Sequence, residues 1–347
     1  MTERPWVTEG VGVSEAGASE QRSGGESTST VLVALFANLA IAVAKGVATL
    51  ITGSAAMAAE TAHSVADTAN QIFLLTALRH SRKPADVEHP LGYGRTRYFW
   101  SLLAAGSIFV TGALYSAYEG IESLLSGGHE LTSPVVSYVV LAVAFVLESV
   151  SLTKAVRQTR REAREHDQKF RTFLRHSDDP TATTVVFEDS AAVIGLVLAA
   201  GGIALHQVTG SSVPDAVASL LIAVLLAVVA VRLGRANMRL LTGVQADPRL
   251  VRAIHDWLDE QPEVEAVVDL LTVLVGTDQV VVGARLDVRD ELTAAEVERA
   301  TVRMGVEMRR RFPDVAEVFL EPVPRDDPEV RRRVRDRYGA EIADRLG

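Results

Sequence analysis

The stretch Glu60-Thr61-Ala62-His63-Ser64-Val65-Ala66-Asp67 decides the fold, because it sets three ionisable side chains inside an apolar run from about Ser54 to Leu78. On a helix, His63 and Asp67 are four apart and stack on one face, and Glu60, three before His63, joins the same stripe. A run of this length spans the ~30 Å hydrocarbon core of a bilayer at ~1.5 Å per residue. A charge at mid-bilayer costs at least ~2.5 kcal/mol, so such residues face a partner, a cavity or an ion path. An imidazole with carboxylates is also a ligand set for a borderline divalent metal such as zinc. The plainer alternative is a structural pair, His63 hydrogen-bonded to Asp67 within one helix.

Outward from this stretch, further apolar runs cover about Val31–Ile51, Tyr98–Leu124, Val135–Val156, Thr184–Val208 and Ala216–Leu240. The 347 residues are 48% hydrophobic with a mean hydropathy of +0.18, and the apolar residues are clustered. This predicts a six-span α-helical membrane bundle with a soluble appendage. Three connections carry no Lys or Arg: Thr52-Gly53, Ser126 to Glu130, and Gln207 to Pro214. The other two, Arg79 to Arg97 and Arg157 to Arg175, are basic, and Arg232, Arg235 and Arg239 close the last span. The positive-inside rule puts these basic stretches and both termini in the cytoplasm. The expected location is a multi-pass plasma membrane, and the preference for Arg over Lys suggests a bacterial source.

Residues 1–28 are rich in Ser, Gly, Glu and Thr and read as a disordered tail without the arrangement of a signal peptide. The transmembrane domain is expected over 29–243, a cytoplasmic α+β domain over 244–325, and a charged tail over 326–347. Within the α+β domain, Asp247-Pro248 opens a helix to about Gln261. Val264–Val275 and Gln279–Val288 read as two strands joined by Gly276-Thr277-Asp278. Thr293 caps a helix from Ala294 to about Phe312, with Glu296 as its capping-box partner, and Val315–Val323 reads as a last strand. The order is αββαβ.

The chain has no cysteine, so any metal is held by His, Asp, Glu or backbone oxygen. A net charge of −9 argues against nucleic acid as a partner. His-Glu-x-x-His and Gly-x-Ser-x-Gly patterns are absent, which argues against an enzyme. A metal-dependent intramembrane enzyme and a non-transporting membrane scaffold remain as alternative classes. No organic cofactor is expected.

Several segments together resemble the cation diffusion facilitator family of divalent-metal transporters. They are Ala59–Asp67, Glu88-His89-Pro90-Leu91-Gly92-Tyr93-Gly94-Arg95, Glu188–Gly195 and Pro214–Ala223. The resemblance covers about Val31 to Pro324. It implies a homodimer of six-span protomers, a cytoplasmic ferredoxin-like domain, and export of Zn²⁺, or of Mn²⁺, Fe²⁺, Co²⁺ or Cd²⁺, in exchange for protons.

On this resemblance His63, Asp67 and Asp189 surround one ion at mid-membrane. The family's fifth span usually reads His-x-x-x-Asp, but here the His position is Val185, and Glu188 stands beside Asp189. Glu188 either replaces the missing ligand or lines the path to the site. Glu60 either serves a proton or exit path or is a carboxyl facing water. Asp86, Glu88 and His89 form a possible second metal site in the loop, or simply a tight turn. Lys45 either faces the pathway or snorkels, Glu148 reads as mostly structural, and Asp215 is expected to cap its own helix. The soluble domain holds only His255, so no multi-metal site is expected there.

Overall fold

The computed structural model describes residues 28–127, 132–165, 170, 173–174, 180–276 and 279–338. The expected tail over 1–28 falls almost wholly outside these residues. So do most of the Ser126–Glu130 connection, Lys169, Arg171 and Arg175, and the turn residues Thr277 and Asp278.

Helix α1 spans Thr28–Thr52 and α2 spans Ala55–Ser81. The third span runs Thr96–Ser126 as α3 (Thr96–Ser107), a π-helical segment (Ile108–Leu114) and α4 (Tyr115–Ser126). Then come α5 (Pro134–Glu165), α6 (Pro180–Thr209) and α7 (Val213–Thr242). Among the described residues, five spans are long and apolar enough to cross a membrane by length and composition; α2 falls short. Its position explains its polarity. Helix α2 packs against α1, α3, α4, α6 and α7, and these helices bury most of its first half, although Val65 and Ile72 stay exposed. Its buried alanines, Ala55, Ala56, Ala58, Ala59, Ala62 and Ala66, let those helices approach closely. The lipid-facing work falls to the outer helices. On α5, Val135, Val139, Val143, Val146 and Val150 form an exposed apolar stripe that only a bilayer or another apolar surface tolerates.

The three connections without Lys or Arg meet at one end of the bundle. Thr132 N donates to Thr52 O at 3.3 Å, and Ser212 Oγ donates to Gly127 O at 2.7 Å. The α2–α3 loop lies at the opposite end, against the β1–β2 hairpin.

After α7 come α8 (Pro248–Asp259), β1 (Val264–Gly276), β2 (Gln279–Val288), α9 (Ala294–Arg311) and β3 (Val315–Pro322). The predicted αββαβ order is present, with sheet order β1-β2-β3, β1 antiparallel to β2 and β2 parallel to β3. Asp247 caps α8 by accepting from Arg249 N at 2.7 Å, and the Thr293–Glu296 capping box is formed. The Thr293 hydrogen bonds hold the Glu296 carboxyl below its ordinary range. Ile254, Leu258, Met304 and Met308 fill a core against Val282, Ala284 and Leu286. The charged segment after Arg325 forms a short helix, α10 (Pro328–Tyr338), whose Val334 is buried. Arg337 reaches 2.7 Å from the buried Asp269, which also faces Arg285 at 3.3 Å.

This sheet region is joined to the helices by backbone. Tyr98, at the start of α3, is buried in the sheet's core. Gly94 lies so close to the hairpin that a Cβ there would sit 2.7 Å from Val275 O and 2.8 Å from Gly276 Cα.

Candidate metal centre

Ser54 starts α2 by accepting a hydrogen bond from Met57 N at 3.1 Å. The start is also held from outside. Asp215, in the first turn of α7, accepts from Ser54 Oγ at 2.8 Å and from Ala55 N at 2.7 Å. The expectation that Asp215 caps its own helix is corrected: Ser212 is the N-cap of α7, and the Asp215 carboxylate caps α2 across the interface. Proximity in space, invisible in the local sequence, makes the difference.

One turn further along α2, Glu60 is fully buried and paired with Lys45 of α1, Nζ to Oε2 at 2.8 Å. Lys45 is equally buried, so it does not snorkel. Glu60 does not face water, and its second oxygen, Oε1, has no hydrogen-bond partner. His63 is 3% exposed, and its Nε2 lies 3.7 Å from Asp67 Oδ2. That distance is too long for a hydrogen bond, and both imidazole nitrogens are without a hydrogen-bond partner. A buried imidazole with no protein partner is costly unless another ligand satisfies it.

Asp189 projects from α6 near its start. Its carboxylate meets the Ser151 hydroxyl of α5, while Oδ2 has no partner. Asp189 is close enough to interact electrostatically with Asp67 and His63, and Glu148 of α5 with both aspartates. The carboxylates therefore face one region from α2, α5 and α6. Among the described residues no three His, Asp or Glu side chains converge on a single point at metal-ligand distance. Glu188 turns toward α2, where Asn70 Nδ2 donates to Oε1 at 3.1 Å and Oε2 at 3.0 Å.

Asp86, Glu88 and His89 lie together in the exposed α2–α3 loop. Asp86 accepts from His89 N and from Tyr93 Oη, each at 2.7 Å, and the His89 ring lies 4.1 Å from the Tyr93 ring. These contacts pull the Asp86 carboxyl below its ordinary range and raise the Tyr93 phenol. Both Asp86 oxygens are thus engaged in closing a turn. His255 sits half-buried on α8 beside Asp256, 3.5 Å away.

The residues missed in the sequence are Asn70 and Ser151; Lys45 and Glu60 were pathway candidates, but their pairing with each other was not foreseen. Asn70 was the most legible, since it is three beyond Asp67 on the same stripe of α2. Ser151 sits on another helix with nothing in its neighbourhood that points to α6, and nothing near Lys45 names Glu60 as its partner.

Residues 31–242 match the family described as the cation efflux transmembrane domain. The human mitochondrial proton-coupled zinc antiporter SLC30A9 is 34% identical over 257 residues, 74% of this chain and 45% of that protein. Metal tolerance protein C4 of Arabidopsis thaliana is 29% identical over 289 residues, 83% of this chain and 61% of its own length. The manganese efflux system protein MneP of Bacillus subtilis is 26% identical over 303 residues, 86% of this chain and 96% of its own length. The match thus spans about half the length of the first of these relatives and nearly all of the last.

Proposed function

The chain belongs to the cation diffusion facilitator (cation efflux) family, a family of transporters, and on that premise we propose that it is a secondary transporter exporting Zn²⁺ or a similar divalent cation from the cytoplasm in exchange for protons. The observation that carries this reading is His63, a buried imidazole with both nitrogens free, facing Asp67 and near Asp189 inside a bundle of apolar helices. Nitrogen and carboxylate oxygen suit Zn²⁺ or Co²⁺, and a set richer in oxygen admits Mn²⁺. The bacterial manganese relative keeps Mn²⁺ as the second reading.

His63 and Asp67 on α2 and Asp189 on α6 would hold the cation as substrate, which requires α2 and α6 to draw together. Asn70 anchors Glu188 at the cytoplasmic side of the site, where Glu188 would attract the incoming ion. Ligands must be deprotonated to bind metal, so cation and protons compete for the same groups. Movement of the bundle about this point would expose the site to each side in turn. In this reading the basic connections and the sheet domain are cytoplasmic, and the protein is a homodimer in a cell membrane.

The test is uptake by proteoliposomes holding the full chain and an internal pH dye. Zn²⁺, Mn²⁺, Fe²⁺, Co²⁺ and Cd²⁺ are supplied in parallel. Metal uptake with counterflow of protons is expected; turnover of a substrate without metal flux would favour an enzyme.

A further inference from the structure

The Lys45–Glu60 ion pair is a feature that the transport reading leaves unused. Nζ and Oε2 are 2.8 Å apart, and neither side chain is more than 1% exposed. Only one carboxylate oxygen is engaged. Oε1 has no hydrogen-bond partner and lies against Gly195 of α6, at the place an added Cβ would occupy. Glu60 stands one turn from His63, ~4.5 Å along the helix axis. Asp67 is within electrostatic reach of both Lys45 and Glu60. A bare carboxylate oxygen one turn from an imidazole and within electrostatic reach of Asp67 has the chemistry of a metal ligand. What holds it back is a cation already in place.

We propose that Lys45 determines affinity and specificity: by engaging Glu60, its ammonium keeps another carboxylate out of the His63, Asp67 and Asp189 set. This inference rests on the transport reading given above. A buried ion pair adds little net stability over an apolar pair, so its presence beside a transport site needs another reason. With Glu60 engaged, the cation meets fewer oxygen ligands and leaves readily. With Glu60 released, the set gains a hard ligand, holds the cation longer, and favours Mn²⁺ relative to Zn²⁺.

The experiment compares the full chain with Lys45→Met and with the double variant Lys45→Met/Glu60→Gln, which removes both charges. Zn²⁺ and Mn²⁺ uptake by proteoliposomes and equilibrium Zn²⁺ binding in detergent are measured for each. Lys45→Met should lower KM for Zn²⁺ about fivefold, lower it further for Mn²⁺, and reduce kcat through slow release. The double variant should return both KM values to within about twofold of the parent. A purely structural pair predicts lost yield with no fall in KM and an unchanged Zn²⁺ to Mn²⁺ ratio, and that result overturns the proposal. Should Lys45→Met fail to fold, Lys45→Gln, which removes the charge and leaves only a weaker neutral hydrogen bond that an incoming cation can displace, should lower KM in the same direction by a smaller factor, and the same unchanged Zn²⁺ to Mn²⁺ ratio overturns the proposal. Absence of metal flux in the parent refutes the transport reading alone, because Zn²⁺ binding by the variants still tests Lys45.

Discussion

Asp215 of α7 accepts a hydrogen bond from the hydroxyl of Ser54, the residue that begins α2, at 2.8 Å, although the two are 161 positions apart. The same carboxylate accepts from Ala55 N at 2.7 Å. A negative group at a helix N-terminus is favourable, and here it fixes the end of the helix that carries Glu60, His63 and Asp67. Removing it leaves buried donors without a partner. Asp215→Ala is expected to cost about 2 kcal/mol and Asp215→Asn less, because an amide oxygen still accepts. Thermal unfolding in detergent measures both. Equal stability of Asp215→Ala and the parent would show that the contact holds nothing.

Asp67→Ala should abolish metal flux while the protein still inserts in the membrane at normal yield. His63→Asp should keep flux but broaden it toward Mn²⁺, because imidazole favours zinc and a carboxylate relaxes that preference. The metal series in proteoliposomes reads both. An Asp67→Ala variant with parental flux, or a His63→Asp variant with the parental selectivity profile, removes that residue from the site.

Glu188 tests how the site is approached. Its two oxygens share the Asn70 amide, so Glu188→Gln keeps the size and can keep one hydrogen bond while losing the charge. Apparent metal affinity should weaken about tenfold, or ~1.4 kcal/mol. Unchanged affinity, rate and pH dependence would leave Glu188 as a helix-packing residue only.

Gly94 and Gly106 make a matched pair. A Cβ at Gly94 meets the backbone of Val275 and Gly276 at 2.7 and 2.8 Å, whereas one at Gly106 meets nothing within 4 Å. Backbone cannot rotate aside as a side chain can. Gly94→Ala should therefore destabilise by roughly 1–3 kcal/mol through forced separation of loop and hairpin. Gly106→Ala, in a helix, should be neutral or stabilising by up to ~1 kcal/mol. Hydrogen exchange at the α2–α3 loop should rise in the first variant alone.

The sequence by itself determined the elements and the polar stripe of α2. Apolar runs long enough to span a bilayer, caps at Asp247 and Thr293, and the strand alternation after Val264 are local signals, and the observed helices and strands follow them closely. Helix α2 was legible for the same reason: a stripe of Glu60, His63 and Asp67 in an apolar run is written at helical spacing. Only the tertiary structure decided which groups are left free to act. Glu60 is tied to Lys45 across α1 and α2, Glu188 to Asn70 across α2 and α6, and Asp215 to Ser54 across α7 and α2. Each pairing joins distant segments, and in a low-dielectric bundle a buried carboxylate is governed by the partner it meets. His63 differs from these acids because packing gives neither of its nitrogens a hydrogen-bond partner. That follows from how the helices pack, which periodicity along one helix does not encode.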